Sequence, residues 1–168
     1  ELDTELITRT VLTGYLESAR HEAQVNLVNA PAIAKAMGLR ITESTVAIQT
    51  NCTELIEVSA IKGDETVTVA GTFFGSSARI VYLAGHHVEV NTKGRFLIVE
   101  NDDRPGIVGV IGTALGAAGV NIANMDLSRT ADRTRAVTVI EVDSEPPAAL
   151  LEQLRSTPGI LRVLTLEL

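Results

Sequence analysis

The stretch from Glu100 to Ser128 leaves few folds open to this chain. It reads Glu-Asn-Asp-Asp-Arg-Pro-Gly, then a glycine-studded apolar run, then Gly-Val-Asn-Ile-Ala-Asn-Met-Asp-Leu-Ser. Asp103 and Pro105 stand where a helix start takes a short acceptor and a residue without an amide proton. Gly119 stands where a helix end wants positive φ. This punctuation predicts a strand over 95–101, a tight loop, a helix over 105–118 and a strand over 120–128. The loop then presents unbonded N–H groups at the positive end of a helix dipole, a place for a small anion such as a carboxylate. Asn101, Asp102 and Asp103 leave the first strand and Asn121 enters the next, offering polar groups to an ammonium. A free amino acid carries both charges, so the site suits one.

The remaining elements follow from periodicity. Leu6, Ile7, Val11, Leu12, Tyr15 and Leu16 recur at helical spacing and predict a helix over 3–19. A second helix is expected at about 30–37, with Asn29 as cap, Pro31 in the first turn and Gly38 at its end. Strands are expected at 45–49, 54–61, 66–74, 78–83 and 87–91, with Lys62-Gly63-Asp64-Glu65 and Ala84-Gly85 as hairpin connections. Thr92-Lys93-Gly94 marks a hinge. Beyond it a strand at 135–142, a helix at 146–155 and a strand at 160–168 complete a βαββαβ order, the split ferredoxin-like motif. Such an open sheet has edges, and covering them calls for an oligomer.

Composition narrows the partners. A net charge of −7 and 3% aromatics argue against nucleic acid, which needs basic clusters and stacking rings. The same charge disfavours an anionic membrane surface, and no apolar run reaches the ~18 residues of a span. The lone Cys52 fits a reducing, cytoplasmic setting. The chain opens on Glu-Leu-Asp-Thr without Met and reads as a fragment of a longer protein.

Gly106, Gly109, Gly112, Gly116 and Gly119 recur three or four residues apart. Gly106 reads as close backbone approach to a ligand, and Gly109–Gly116 as tight helix–sheet packing. Neither a dinucleotide fingerprint nor a phosphate loop is present. Asn121 and Asn124 should face opposite ways on their strand, and Asn121 is expected to be the one that reaches the helix N-terminus. Arg79, with His86 or His87 on the next strand, makes a possible anion site, against which stands the reading of ordinary surface residues. The two histidines alternate faces, so a shared metal is not expected, and the scattered carboxylates lack metal-ligand spacing. Cys52 reads as inert. No catalytic constellation is evident.

The loop Asp-Asp-Arg-Pro-Gly-Ile-Val-Gly with Gly-Val-Asn-Ile-Ala-Asn-Met-Asp-Leu-Ser resembles the diagnostic stretch of ACT domains. Upstream, Val28-Asn-Ala-Pro-Ala-Ile-Ala-Lys35, ending at Gly38, and Val69-Ala-Gly-Thr-Phe-Phe-Gly75 resemble the intervening (allosteric substrate binding) domain of long-form D-3-phosphoglycerate dehydrogenases. The resemblance implies an α+β chain: an antiparallel-sheet intervening domain over residues 1–92, then a ferredoxin-like βαββαβ ACT domain over 95–168. It implies the regulatory region of an NAD-dependent enzyme of serine biosynthesis, with the catalytic and nucleotide-binding domains upstream and no cofactor in this chain. L-serine, or another small amino acid, would bind between two ACT domains of a homodimer or homotetramer and inhibit the enzyme. By motif match Asn121 falls on the family's ligand-binding Asn and Asp103 on a serine-contacting Asp or Asn, while Asn101 stands where relatives often carry His or Tyr. The implied ligand site comprises Asn101, Asp103, Pro105, Gly106, Ile107, Asn121 and Ile122. An anion site in the intervening domain would use Arg79, His86 and His87.

Two other readings stay open: a structural oligomerisation module with a degenerate ligand site, and a regulatory protein like the β subunit of a bacterial serine dehydratase. A catalytic role for this chain alone is not expected.

Overall fold

The computed structural model describes residues 4–19, 24–46 and 54–168, in two compact units spanning 1–50 and 51–168. In the first unit, α1 (Thr4–Ala19) and α2 (Ala30–Ala36) bury Leu12, Leu16, Val25, Ala30 and Ala34 against one another. Two members of the expected α1 stripe, Leu6 and Tyr15, are about half exposed. Asn29 holds the N-cap position of α2 but does not cap it. Its Oδ1 accepts from the amide of Asn26, while Asn26 Oδ1 accepts from Val28 and Asn29, so the pair stitches the preceding turn. Gly38, at φ +74°, ends the helix as expected. Residues 45 and 46 of the expected strand at 45–49 are not in a strand, and 47–49 lie outside the described residues, as does Cys52.

The second unit holds two four-stranded antiparallel sheets. The first runs β1 (Leu55–Lys62), β2 (Glu65–Phe74), β3 (Ser77–Leu83) and β4 (His86–Asn91) as a meander. Its tight connections fall at Gly63-Asp64, Gly75-Ser76 and Ala84-Gly85, where Gly63, Gly75, Ala84 and Gly85 adopt positive φ. The second sheet contains β5 (Arg95–Asp102), β6 (Ile122–Arg129), β7 (Arg135–Val142) and β8 (Ile160–Glu167), with α3 (Ile107–Ala117) after β5 and α4 (Ala148–Arg155) after β7. Its order β6-β7-β5-β8 with all neighbours antiparallel is the ferredoxin-like arrangement the βαββαβ order predicts.

Both faces of the second sheet carry apolar side chains, because β5 and β7 are central and covered on each side. Leu97, Val99, Ile140 and Val142 meet Ile107, Ile111, Leu115, Leu150 and Leu154 of the helices. Six of these side chains have no solvent exposure, and each contributes roughly 1.5–3 kcal/mol by burial. On the opposite face Phe96, Val137 and Val139 pack on Val88 and Val90 of β4. Two polar bonds join the sheets beside that contact: Asn91 Nδ2 donates to Glu141 Oε2 at 2.7 Å, and the Glu89 amide donates to Asp126 Oδ2 at 2.7 Å.

The glycines of α3 do not pack on the sheet, contrary to the sequence expectation. Ile107, Ile111, Ala114 and Leu115 form the inward stripe, which turns Gly109, Gly112 and Gly116 to other faces. A Cβ built on any of the three meets nothing within 4 Å.

Candidate functional site

The loop that joins β5 to α3 is held by three bonds to two neighbouring turns. The Asp102 amide donates to Gly159 O at 2.8 Å, the Asp103 amide to Thr134 O at 3.0 Å, and the Arg104 guanidinium to the Pro158 carbonyl. Gly106 is the N-cap residue, at φ +94°, a backbone shape that favours glycine. The first helical bond runs from the Val110 amide to Gly106 O at 3.0 Å, so the N–H groups of residues 107–109 precede the helical ladder. Asp103 is not the cap, and Pro105 lies ahead of the N-cap in the turn rather than inside the helix. Pro105 and Gly106 are exposed, whereas the Ile107 side chain enters the core, leaving only its backbone at the loop.

Asn101 is 2% exposed and shares the helix-facing side of β5 with Leu97 and Val99. Its Nδ2 donates to Asp102 O at 2.7 Å, and its buried Oδ1 has no partner. Asp103 reaches sideways instead of along the helix. Its Oδ2 accepts from Arg129 Nε at 2.6 Å, with Asp103 14% and Arg129 50% exposed. Arg129 was not a sequence candidate. It is remote in sequence, and only the pairing of Arg129 with Ala136 and of Ala136 with Asn101 brings it beside the loop.

The turn between β6 and β7 backs this corner. Asp132 Oδ1 accepts from Thr130 Oγ1 at 2.6 Å, from the Thr134 amide at 3.1 Å and from Thr134 Oγ1 at 2.9 Å. The Thr130 hydroxyl, then the Thr134 amide and hydroxyl, hold its carboxyl below the ordinary Asp value. The turn so braced presents the Thr134 carbonyl that receives the Asp103 amide.

Asn121 does not reach the helix N-terminus within its own chain. It follows the helix end at Gly119, where Ile122 pairs with Val142, at the opposite end of β6 from Arg129. The eight steps from Asn121 to Arg129 span roughly 25 Å of extended chain. Asn121 Nδ2 donates to Asp143 Oδ2 at 2.6 Å, and Ile122 beside it packs half-buried on the helix-side core. A register shift between Ile122 and Asn124 breaks the simple alternation assumed for the two asparagines, and both are exposed.

Arg79 and the histidines are likewise separated. Arg79 pairs with Asn91 at one end of the β3–β4 hairpin, while His87 pairs with Tyr82 and His86 with Leu83 beside its turn. The His87 ring stands edge-on to Tyr82 at 5.2 Å. Arg79 instead lines a cleft of about 420 Å³ with Glu89, Asn91, Asn124, Met125 and Asp126. Its two carboxylates oppose the binding of a bare anion. Among the described residues no group of three or more His, Cys, Asp or Glu side chains is placed to hold a metal, and no helix is long and apolar enough to cross a membrane.

The family model for the D-3-phosphoglycerate dehydrogenase intervening domain matches residues 1–84, and that for the ACT domain matches residues 95–159. Among curated proteins, the D-3-phosphoglycerate dehydrogenase of Archaeoglobus fulgidus is 32% identical over 168 residues, covering 99% of this chain and 32% of that protein. That of Mycobacterium tuberculosis is 36% identical over 148 residues, covering 86% and 28%. That of Bacillus subtilis is 28% identical over 171 residues, covering 100% and 32%. The chain thus spans about a third of the length of these relatives.

Proposed function

This chain belongs to the D-3-phosphoglycerate dehydrogenase intervening-domain family and carries an ACT domain behind that module, and from this premise we propose that it is the regulatory region of such an enzyme, binding L-serine or a similar small amino acid at a site shared by two copies of the chain. The intervening domain ends near Asn91 and the ACT domain begins near Arg95. The enzyme to which it belongs is cytoplasmic, uses NAD and carries its catalytic domains on the same polypeptide.

One observation carries the reading. The two halves of the amino-acid motif, the loop 101–107 and the Asn121–Ile122 pair, lie at opposite ends of β6. No single small amino acid spans that distance. A two-fold axis through the middle of β6 sets the start of one β6 beside the end of the other and brings Asn121 of one copy to the loop of the next. Each interface then holds two equivalent sites. Ligand seated there favours one arrangement of the subunits, by no more than its differential affinity for the two arrangements.

The test is complementation. Asp103→Ala and Asn121→Ala chains, each alone, should fail to bind L-serine. A refolded mixture should recover binding, because a mixed pair contains one site with both halves intact. No recovery in mixtures shown to form hetero-oligomers overturns the shared site. A second reading, a structural oligomeriser with a degenerate pocket, is favoured by the Asp103–Arg129 ion pair, which already engages one oxygen of the carboxylate meant for the ligand. It predicts no L-serine binding by the unmodified chain.

A further inference from the structure

We infer that Arg129 is a ligand-binding residue of this site, taking the carboxylate of the amino acid whose ammonium rests on Asp103. The inference rests on the amino-acid reading above and names the group that holds the ligand's negative end. The ion pair between the two residues is made through one atom of each, Nε of Arg129 and Oδ2 of Asp103. Among the described residues neither terminal nitrogen of Arg129 has a partner, and neither does Asp103 Oδ1. The pair therefore shows a free cationic edge next to a free anionic edge at the mouth of the loop.

A zwitterionic α-amino acid has the same two charges, one carbon apart. Laid antiparallel to the pair, its ammonium meets Asp103 Oδ1 and its carboxylate meets the terminal nitrogens of Arg129 in a charge-assisted contact. The existing bond need not break. It holds the guanidinium in place beforehand, and with Arg129 half exposed the desolvation cost is modest. The same arrangement discriminates against ligands of a single charge sign, since a bare cation faces Arg129 and a bare anion faces Asp103.

The opposite role is a lock, in which Arg129 occupies the place of the ligand's ammonium and must be displaced. The two roles differ in sign. Calorimetric titration of the chain with L-serine, and with L-serine methyl ester, which keeps the ammonium and lacks the carboxylate, separates them. The expected result is that Arg129→Gln weakens L-serine by at least about tenfold, the loss of one hydrogen bond to a charged group, without weakening the ester. Arg129→Lys should recover part of the affinity for L-serine. Tighter or unchanged L-serine binding by Arg129→Gln overturns the inference, as does an equal loss for both ligands. If Asn121→Ala loses L-serine while Arg129→Gln keeps it, the amino-acid reading stands and the role of Arg129 falls. If the unmodified chain binds no L-serine, both fall. Thermal unfolding of each variant without ligand controls for folding, and a lone surface substitution on β6 should leave it within a few degrees of the parent.

Discussion

Asn121 Nδ2 donates to Asp143 Oδ2 at 2.6 Å across the ends of β6 and β7, and this bond decides which end of the amide is free. An ionised carboxylate can only accept, so the atom it faces is the nitrogen, and Asn121 Oδ1 is turned away as an acceptor. A free acceptor suits the ammonium of an amino acid bound to the neighbouring copy. Asp143→Ala should release the amide to rotate and cost L-serine affinity roughly five- to tenfold, about the worth of one oriented hydrogen bond. Calorimetry of the variant checks this. An unchanged affinity would mean that Asp143 does not orient Asn121.

Ligand should also stabilise the fold. L-serine at a hundredfold excess over its Kd should add about 2.7 kcal/mol to the unfolding free energy, seen as a saturable rise in midpoint. Asn121→Ala should remove the rise. Because Asn121 is exposed, the midpoint without ligand should hardly change.

Gly112 sits within α3 with open space around its missing side chain and no positive φ. Gly112→Ala should therefore stabilise the chain by about 0.5–1 kcal/mol in urea unfolding, through the smaller entropy loss of alanine. A destabilisation would mean that a second copy covers this face closely.

Asp132 predicts the acid behaviour of the loop's support. Its folded pKa is lowered, chiefly by the Thr130 hydroxyl. A lowered carboxyl contributes stability that is fully present above its unfolded value and is lost as pH falls through the folded one. The β6–β7 turn should thus hold at neutral pH and loosen only in strong acid. A carbon-detected NMR titration should find Asp132 below the exposed aspartates, and Thr130→Ala should raise it toward them.

The core supplies a control on all of these. Leu97 and Leu115 are fully buried on opposite sides of the β5–α3 interface. Leu97→Ala should cost about 2–5 kcal/mol in urea unfolding, against near-zero effects for Asn121→Ala.

Much of the fold was legible because its punctuation is local. Gly38, Gly63, Gly85 and Gly119 all adopt the positive φ expected of turn or helix-end glycines, and each acts on the few residues around it. The α3 glycines were misread because five glycines at helical spacing do not say which stripe faces the sheet. Ile107, Ile111 and Leu115 say it, by burying more apolar surface than glycine can. A short acceptor before a helix has the right chemistry for a cap, but the helix starts at Gly106, three residues beyond Asp103, and the Asp103 carboxylate turns to a guanidinium from a distant strand.

The sequence by itself determined the order of elements, the βαββαβ module and the loop at the start of α3, since these follow from periodicity and from backbone preferences within a few residues. Only the tertiary structure decided which polar groups share a corner. The register that buries Leu97, Val99 and Ile140 carries Arg129 to Asp103 and takes Asn121 to the far end of the same strand. Those distances are set by long-range strand pairing, which is fixed by burial summed over the whole sheet and leaves no mark at the polar residues themselves.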